Sequence, residues 1–258
     1  MIRRQLDLFF CALQFLTRVP VPSNPRFEPA WITRCARYYP LVGQLVGAVC
    51  AGVLLAASNV WPGLTPALLA IAVGVLMTGA FHEDGLADTA DGLGGGQDVA
   101  QRLVIMKDSR IGSYGAIALG LCLALKASAL SGFTPVVAAC LLLAAHGGGR
   151  AAAVVAMFCL RHVSDPATAR YKPTAEGVRG GEVLFAVLVS LWPLAFLPPV
   201  QAALAVAGGA VFAWLMALAA RRLVGGYTGD VLGAIEQLFE LGFLLAAGTA
   251  ALVLGAWR

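Results

Sequence analysis

Residues 81–115 read FHEDGLADTADGLGGGQDVAQRLVIMKDSRIGSYG, and their charge divides the chain. Six of its fourteen acidic residues lie here, Glu83, Asp84, Asp88, Asp91, Asp98 and Asp108, between long segments that carry almost no charge. A helix over 82–92 places Asp84, Asp88 and Asp91 at i, i+4 and i+7, on one narrow face. Three like charges on one face destabilise a helix unless something positive holds them. A hard divalent cation with oxygen ligands, Mg²⁺ above all, is the natural partner, with Glu83 as a further ligand. Downstream, Lys107, Asp108, Ser109 and Arg110 bring cations and another carboxylate beside a Gly-Ser-Tyr-Gly turn. Metal-binding carboxylates with Lys and Arg are the equipment of phosphoryl transfer, where positioning and charge neutralisation dominate. The competing reading is a solvated acidic loop between two membrane helices, which has no need of the helical spacing.

Composition sets the solvent. Hydrophobic residues make up 59% of the 258 and charged residues 12%, with a mean hydropathy of +0.81. A soluble domain carries about twice that charge, so the expected fold is an all-α, polytopic membrane bundle of one domain, 1–258. A spanning helix needs about 20 apolar residues. Seven segments qualify: 38–58, 64–81, 112–131, 135–160, 182–198, 200–221 and 231–256. Gly147-Gly148-Gly149 either breaks or kinks the fourth. Fifteen of the eighteen Lys and Arg fall in 1–37, 82–111, 161–181 and 221–229, and none falls in the turns between. Positive charge favours the cytoplasmic side, so these loops and the N-terminus are expected there, in the inner membrane. Asp7, Gln14 and Arg18 at i, i+7 and i+11 suggest an amphipathic interfacial helix rather than a signal peptide. The basic residues are spread by loop, which argues against nucleic acid. The six cysteines show no metal spacing and read as small apolar side chains.

Other residues leave alternatives open. Gly92–Gly96 is a flexible link, either a phosphate cradle or a tight reversal, and no Walker sequence follows it. Asp98 is positioned to cap a short helix over 99–107, which would return Lys107 to Arg110 toward the carboxylates. His82 is a candidate general base or a hydrogen-bonded structural residue, and the base role falls to Asp108, another carboxylate or His82. Charges inside spans are functional by default. Arg150, at i+4 from His146, would neutralise an acid or a substrate phosphate. Glu236 and Glu240, with Asp230 at the start of their span, would add metal ligands or pair with Arg150. Lys126 is expected near the outer end of its span, where it can snorkel. The loop 161–181 is a positive-inside anchor, an attractor of polyanions through Arg161, Arg170, Lys172 and Arg179, or both.

His82-Glu83-Asp84-Gly85-Leu86-Ala87-Asp88-Thr89-Ala90-Asp91-Gly92, followed by Met106-Lys107-Asp108-Ser109-Arg110-Ile111-Gly112, resembles the signature of the cobalamin synthase family. Phe15 to Pro22, Tyr39 to Gly43 and Gly225 to Asp230 extend the likeness over nearly the whole chain in the family's order. The resemblance implies a donor, adenosylcobinamide-GDP, and an acceptor, α-ribazole or its 5′-phosphate. It also implies GMP as leaving group, membrane lipid as surroundings, and association with other late enzymes of the pathway. From the residues themselves, the candidates for substrate binding are Lys107, Ser109, Arg110, Arg150 and Asp230. The acidic pattern also resembles the CDP-alcohol phosphotransferases, but lacks their Arg after the Ala and their later aspartates. A cation-coupled transporter is the remaining class; it would place its acids near the midplane on broken helices, ideally in repeated halves.

Orientation is directly testable. A cysteine at Gly63 should react with an impermeant thiol reagent from outside the cell, and one at Gly95 should not. Reversed labelling would move the acidic stretch to the other side.

Overall fold

A chain in lipid must satisfy its own backbone N–H and C=O groups, and this one does so with helices. The computed structural model describes residues 2–22, 28, 30–163 and 177–253, and no strand occurs among them. The elements are α1 (Ile2–Leu16), α2 (Ala30–Cys35), α3 (Tyr39–Ser58), α4 (Thr65–Thr78), α5 (Phe81–Gly95) and α6 (Val99–Ile105), then α7 (Ser113–Ser131), α8 (Pro135–Cys159), α9 (Gly180–Leu191), α10 (Pro199–Leu223) and α11 (Gly229–Val253). Five helical stretches are long and apolar enough to cross a membrane, Ala30–Ser58, α7, α8, α10 and the α11 stretch to Ala250. Counting the bent pair α4–α5 as one span makes six. The expected seventh, 182–198, is α9 followed by a 3₁₀ turn at Trp192–Phe196, an apolar run shorter than a full span. Pro193 lies at the start of that turn, where its ring cannot continue the α-helical ladder.

Small residues decide which helices touch. Gly43 and Gly47, four apart on α3, admit the backbone of α8; a Cβ on Gly47 would stand 2.9 Å from the Leu142 carbonyl oxygen. Gly209 on α10 lies against Phe239 of α11, and Gly242 of α11 against Phe212. The glycine triplet does not break α8, which is one helix of 25 residues. Its members instead let neighbours close in, with Gln44 on Gly147, Phe239 on Gly148, and Glu236 and Glu240 on Gly149. The helix survives because the missing Cβ atoms are used for packing.

α1 buries Leu8, Ala12, Leu13 and Leu16 against the bundle and turns Leu6, Phe10 and Phe15 outward, as an interfacial helix should. Arg18 is not part of that helix. Its backbone N–H donates to the Met77 carbonyl at 2.7 Å, and its side chain lies on Gly79.

That contact clamps the sharpest corner in the bundle. α4 ends in Gly79 (φ +70°) and Ala80 (φ +60°), both left-handed, and α5 leaves at 91°. Expected segment 64–81 therefore stops at Thr78. Ala80 is the single non-glycine residue with positive φ among the described residues. Left-handed backbone costs an L side chain roughly 1–2 kcal/mol. Gly79→Ala should lower the thermal midpoint of the detergent-solubilised protein by about 2–4 °C per kcal/mol lost, while Ala80→Gly should leave it unchanged or raise it. Equal midpoints for wild type and Gly79→Ala would mean that the corner is not held as described.

Candidate functional site

The acidic stretch is helical over Phe81–Gly95, so the glycines from 92 to 95 extend the helix and do not form a flexible link. α5 crosses α11 where glycine faces backbone: a Cβ at Gly85 would meet the Asp230 carbonyl oxygen at 2.8 Å, and one at Gly233 would meet that of His82 at 3.1 Å. The crossing brings Asp230 into the field of Asp88. Burial, then Asp84, Asp230 and Asp91, push the Asp88 carboxyl from 3.8 up to about 7. Like charges have been gathered, and neither Asp84 nor Asp88 meets a cation among the described residues. Three carboxylates that lie in one another's field are a candidate donor set for a hard divalent cation, though their oxygens are not drawn together as closely as the ligand atoms of His146, Glu236 and Glu240.

Asp91 has a different neighbourhood. It is buried, and its oxygens accept backbone N–H bonds from Gly112 at 2.7 Å and Gly115 at 2.8 Å. A carboxylate on the first free N–H groups of α7 satisfies them and complements the helix dipole. Asp98 caps α6 as expected, accepting from the Gln101 N–H at 2.8 Å. The segment after α6 is then fixed to α5 at both ends, by Met106 packed on Gly92 and by Gly112 on Asp91. Between these pins Lys107, Ser109 and Arg110 are exposed. Asp108 takes the Arg110 fork, with Nη2 to Oδ2 at 2.7 Å and Nε to Oδ1 at 3.1 Å. Those bonds pull the Asp108 carboxyl down to about 2. While Arg110 holds it, Asp108 is a weak base.

Glu83 faces the other way, into the bundle, where its Oε1 accepts from Gln237 Nε2 at 3.1 Å. There the charges inside the spans form a closed ring of side chains. Arg150 Nη1 donates to Glu236 Oε1 and, at 3.1 Å, to Glu240 Oε1. Lys126 Nζ donates to Glu240 Oε2 and to Gln237 Oε1, each at 2.7 Å. Gln237 Nε2 closes the ring on Glu236 Oε2 at 2.9 Å. His146 Nδ1 lies 2.6 Å from Glu240 Oε1. Lys126 therefore does not snorkel; it is 4% exposed and paired inside the protein. A Lys near the end of a span reads as an interfacial anchor unless an acid waits on a neighbouring helix, and the sequence does not show that adjacency. Of the two roles open to Glu236 and Glu240, pairing with Arg150 is the one the geometry shows. His146, Glu236 and Glu240 lie close enough to surround a metal ion, but Arg150 and Lys126 already occupy those carboxylates, and a divalent ion would meet two cations.

The predicted residues thus separate. Asp84 and Asp88 lie one turn apart on α5 with Asp230 in the field of Asp88, Lys107, Ser109 and Arg110 stand on a segment pinned to the same helix, and Glu83 and Arg150 belong to the inner ring. His82 is buried beside the ring of Phe81, with Nδ1 unpartnered among the described residues. Arg170 and Lys172 lie outside the described residues.

This arrangement coincides with a family pattern over nearly all of the chain: a model described as cobalamin-5-phosphate synthase matches residues 8–248. The chain belongs to that family. Its curated relatives include the adenosylcobinamide-GDP ribazoletransferases of Shewanella frigidimarina, 42% identical over 245 residues and covering 92% of each chain, and of Ralstonia pickettii, 43% identical over 242 residues and covering 93% of this chain and 94% of that one. The same name is carried by a Leptothrix cholodnii protein, 44% identical over 243 residues and covering 91% and 92%. No solved structure matches. Membership makes this chain a membrane-embedded transferase of cobalamin biosynthesis.

For a member of this family, Asp91 and the glycines of the Gly-Ser-Tyr-Gly turn can be tested without substrate. A Cβ at Gly115 would collide with Asp91 Oδ2 and stand 2.8 Å from the Ala87 carbonyl oxygen. Gly115→Ala should free the end of α7 and cost about 1–3 kcal/mol, the penalty for stranding buried hydrogen-bonding groups. Asp98→Asn is the control, because Asn caps a helix about as well as Asp. Thermal unfolding in detergent would check both, and a wild-type midpoint for Gly115→Ala would remove Asp91 from its role at α7.

Proposed function

We propose that this chain transfers the adenosylcobinamide-phosphate group of adenosylcobinamide-GDP to the ribose hydroxyl of α-ribazole or its 5′-phosphate, releasing GMP. The observation that carries this reading is the convergence of Asp84, Asp88 and Asp230 beside a segment that presents Lys107 and Arg110. The names of the relatives supply the substrates.

Asp84, Asp88 and Asp230 would hold Mg²⁺, a fit supported by the crowding that raises the Asp88 carboxyl. Glu83 and Asp91, first expected among the ligands, are instead assigned to support, one bonded to Gln237 and the other to the end of α7. Bound there, the ion would supply charge neutralisation on the pyrophosphate. Lys107 and Arg110 take up charge on the departing GMP and on the phosphoryl group in flight. A new P–O bond forms to the ribose oxygen as the bond to GMP breaks. Arg110 also links binding to proton transfer. When its fork leaves Asp108 for phosphate oxygens, the carboxyl loses the bonds that hold it near 2 and can accept the hydroxyl proton. The protein works in the inner membrane with this face toward the cytoplasm, an orientation supported by the distribution of Lys and Arg.

Purified protein in detergent with Mg²⁺ should release GMP from adenosylcobinamide-GDP only when α-ribazole or its phosphate is present, and should be inactive toward a CDP-alcohol. Turnover of the CDP-alcohol alone would replace this reading with lipid-headgroup transfer. Arg110→Lys keeps the charge and loses the fork. A charge-assisted hydrogen bond is worth about 1.5–3 kcal/mol, so kcat/KM for the donor should fall roughly ten- to a hundredfold, with the KM for α-ribazole nearly unchanged. Wild-type donor kinetics would return Arg110 to the role of a topological anchor.

A further inference from the structure

Most polar side chains of the inner ring serve the ring alone. Gln237 is also bonded to the acidic helix. It is 2% exposed, and its amide is fully used: Oε1 accepts from Lys126, and Nε2 donates to Glu236 and to Glu83. Close by, α5 and α11 also meet glycine against backbone, at Gly85 and Gly233. Glycine contacts allow close approach without orienting a helix; Asp91, bonded to the start of α7, orients the far end of α5, and the bond from Gln237 to Glu83 orients its beginning. Glu83 and Asp84 are neighbours on α5 and point about 100° apart. Whatever fixes the direction of Glu83 therefore fixes the direction of Asp84, and one turn later that of Asp88. Glu83 Oε2 is buried without a partner among the described residues, so its grip on the bundle runs through Oε1.

We propose that Gln237 is a positioning residue: it ties the acidic helix to the buried ring through Glu83 and so sets the direction in which Asp84 and Asp88 face. The chemistry of the position is restrictive. Lys126 and Arg150 already balance Glu236 and Glu240 in charge. What remains is a group that donates to two carboxylates at once and accepts from an ammonium, and a neutral amide does this. A Glu at 237 would set a third carboxylate against Glu83 and Glu236, and a Leu would leave both without their donor. This inference rests on the reading of Asp84 and Asp88 as metal ligands, and its test separates the two ideas.

Three variants, Gln237→Leu, Gln237→Glu and the exchange Glu83→Gln with Gln237→Glu, would be purified in detergent beside wild type. Hydrogen exchange of the peptides covering 81–95 needs no metal. It should speed up at least tenfold in both single variants, with peptides from α3 and α10 unchanged, and return toward wild type in the exchange variant, which restores one amide facing one carboxylate. Mn²⁺, followed by the loss of its free-ion spin resonance signal, should bind at least tenfold more weakly to the single variants. The Mg²⁺ concentration needed for half-maximal turnover should rise in parallel, with the KM for α-ribazole unchanged. Unaltered exchange in 81–95 would overturn the proposal, and so would faster exchange with wild-type Mn²⁺ affinity, which is what a purely structural role would give. If any variant fails to fold, Glu83→Leu alone removes the same bond from the α5 side and should show the same paired defects. Wild-type protein that binds no Mn²⁺ would defeat the metal reading and with it the proposal. Normal wild-type binding with unaffected variants would defeat the proposal only.

Discussion

Charge placed in hydrocarbon has to meet opposite charge, and among the described residues the ring of Lys126, Arg150, Glu236, Gln237 and Glu240 meets that requirement at the centre of the bundle. Three helices contribute, α7, α8 and α11, and none could leave without stranding a buried ion, a loss of about 3–5 kcal/mol when one partner of a buried pair is removed. The close glycine contacts depend on the same geometry, since Gly149 admits Glu236 and Glu240, and Gly43 faces Arg150. Chain order adds a constraint. Both acids lie on α11, the last of the described helices, so Lys126 and Arg150 are made long before their partners.

One helix of fifteen residues divides its acids among three environments. Glu83 goes to the ring, Asp91 to the end of α7, and Asp84 and Asp88 to the open face with Asp230. In the last group the Asp88 carboxyl stands in the field of Asp84 and Asp230 and is raised by it, the feature on which the proposed cation site rests. The charges inside the bundle have the opposite character. They are paired, and they sit on the unbroken helices α7, α8 and α11, unlike the broken helices expected of a transporter.

Much of this was legible in the residues. Hydropathy gave the class, the spacing of Asp84, Asp88 and Asp91 gave the helix, and Asp98 announced its cap. The inward turn of Asp91 was not legible, because its partners are backbone N–H groups of Gly112 and Gly115, and backbone donors leave no mark in a sequence. Gln237 was invisible for a related reason: a neutral amide in an apolar span looks incidental until the ions around it are known. Lys126 misled because depth in the membrane depends on which neighbour a side chain faces. The corner after Thr78 was hidden as well, since Ala80 has no left-handed preference and is held there by its surroundings.

The shortness of α4 has a mechanical outcome. Fourteen residues rise about 21 Å, while the hydrocarbon layer is about 30 Å thick. With α5 turning aside at 91°, the acidic helix cannot stand clear of the bilayer. In a layer of that thickness it would lie sunk at headgroup depth, or the lipid around it would thin to match. Hydrophobic mismatch of this kind couples protein geometry to bilayer thickness at a modest cost per ångström. On the proposed function, how far the nucleotide donor reaches to touch Asp84 and Asp88 would be set partly by the length of the surrounding acyl chains.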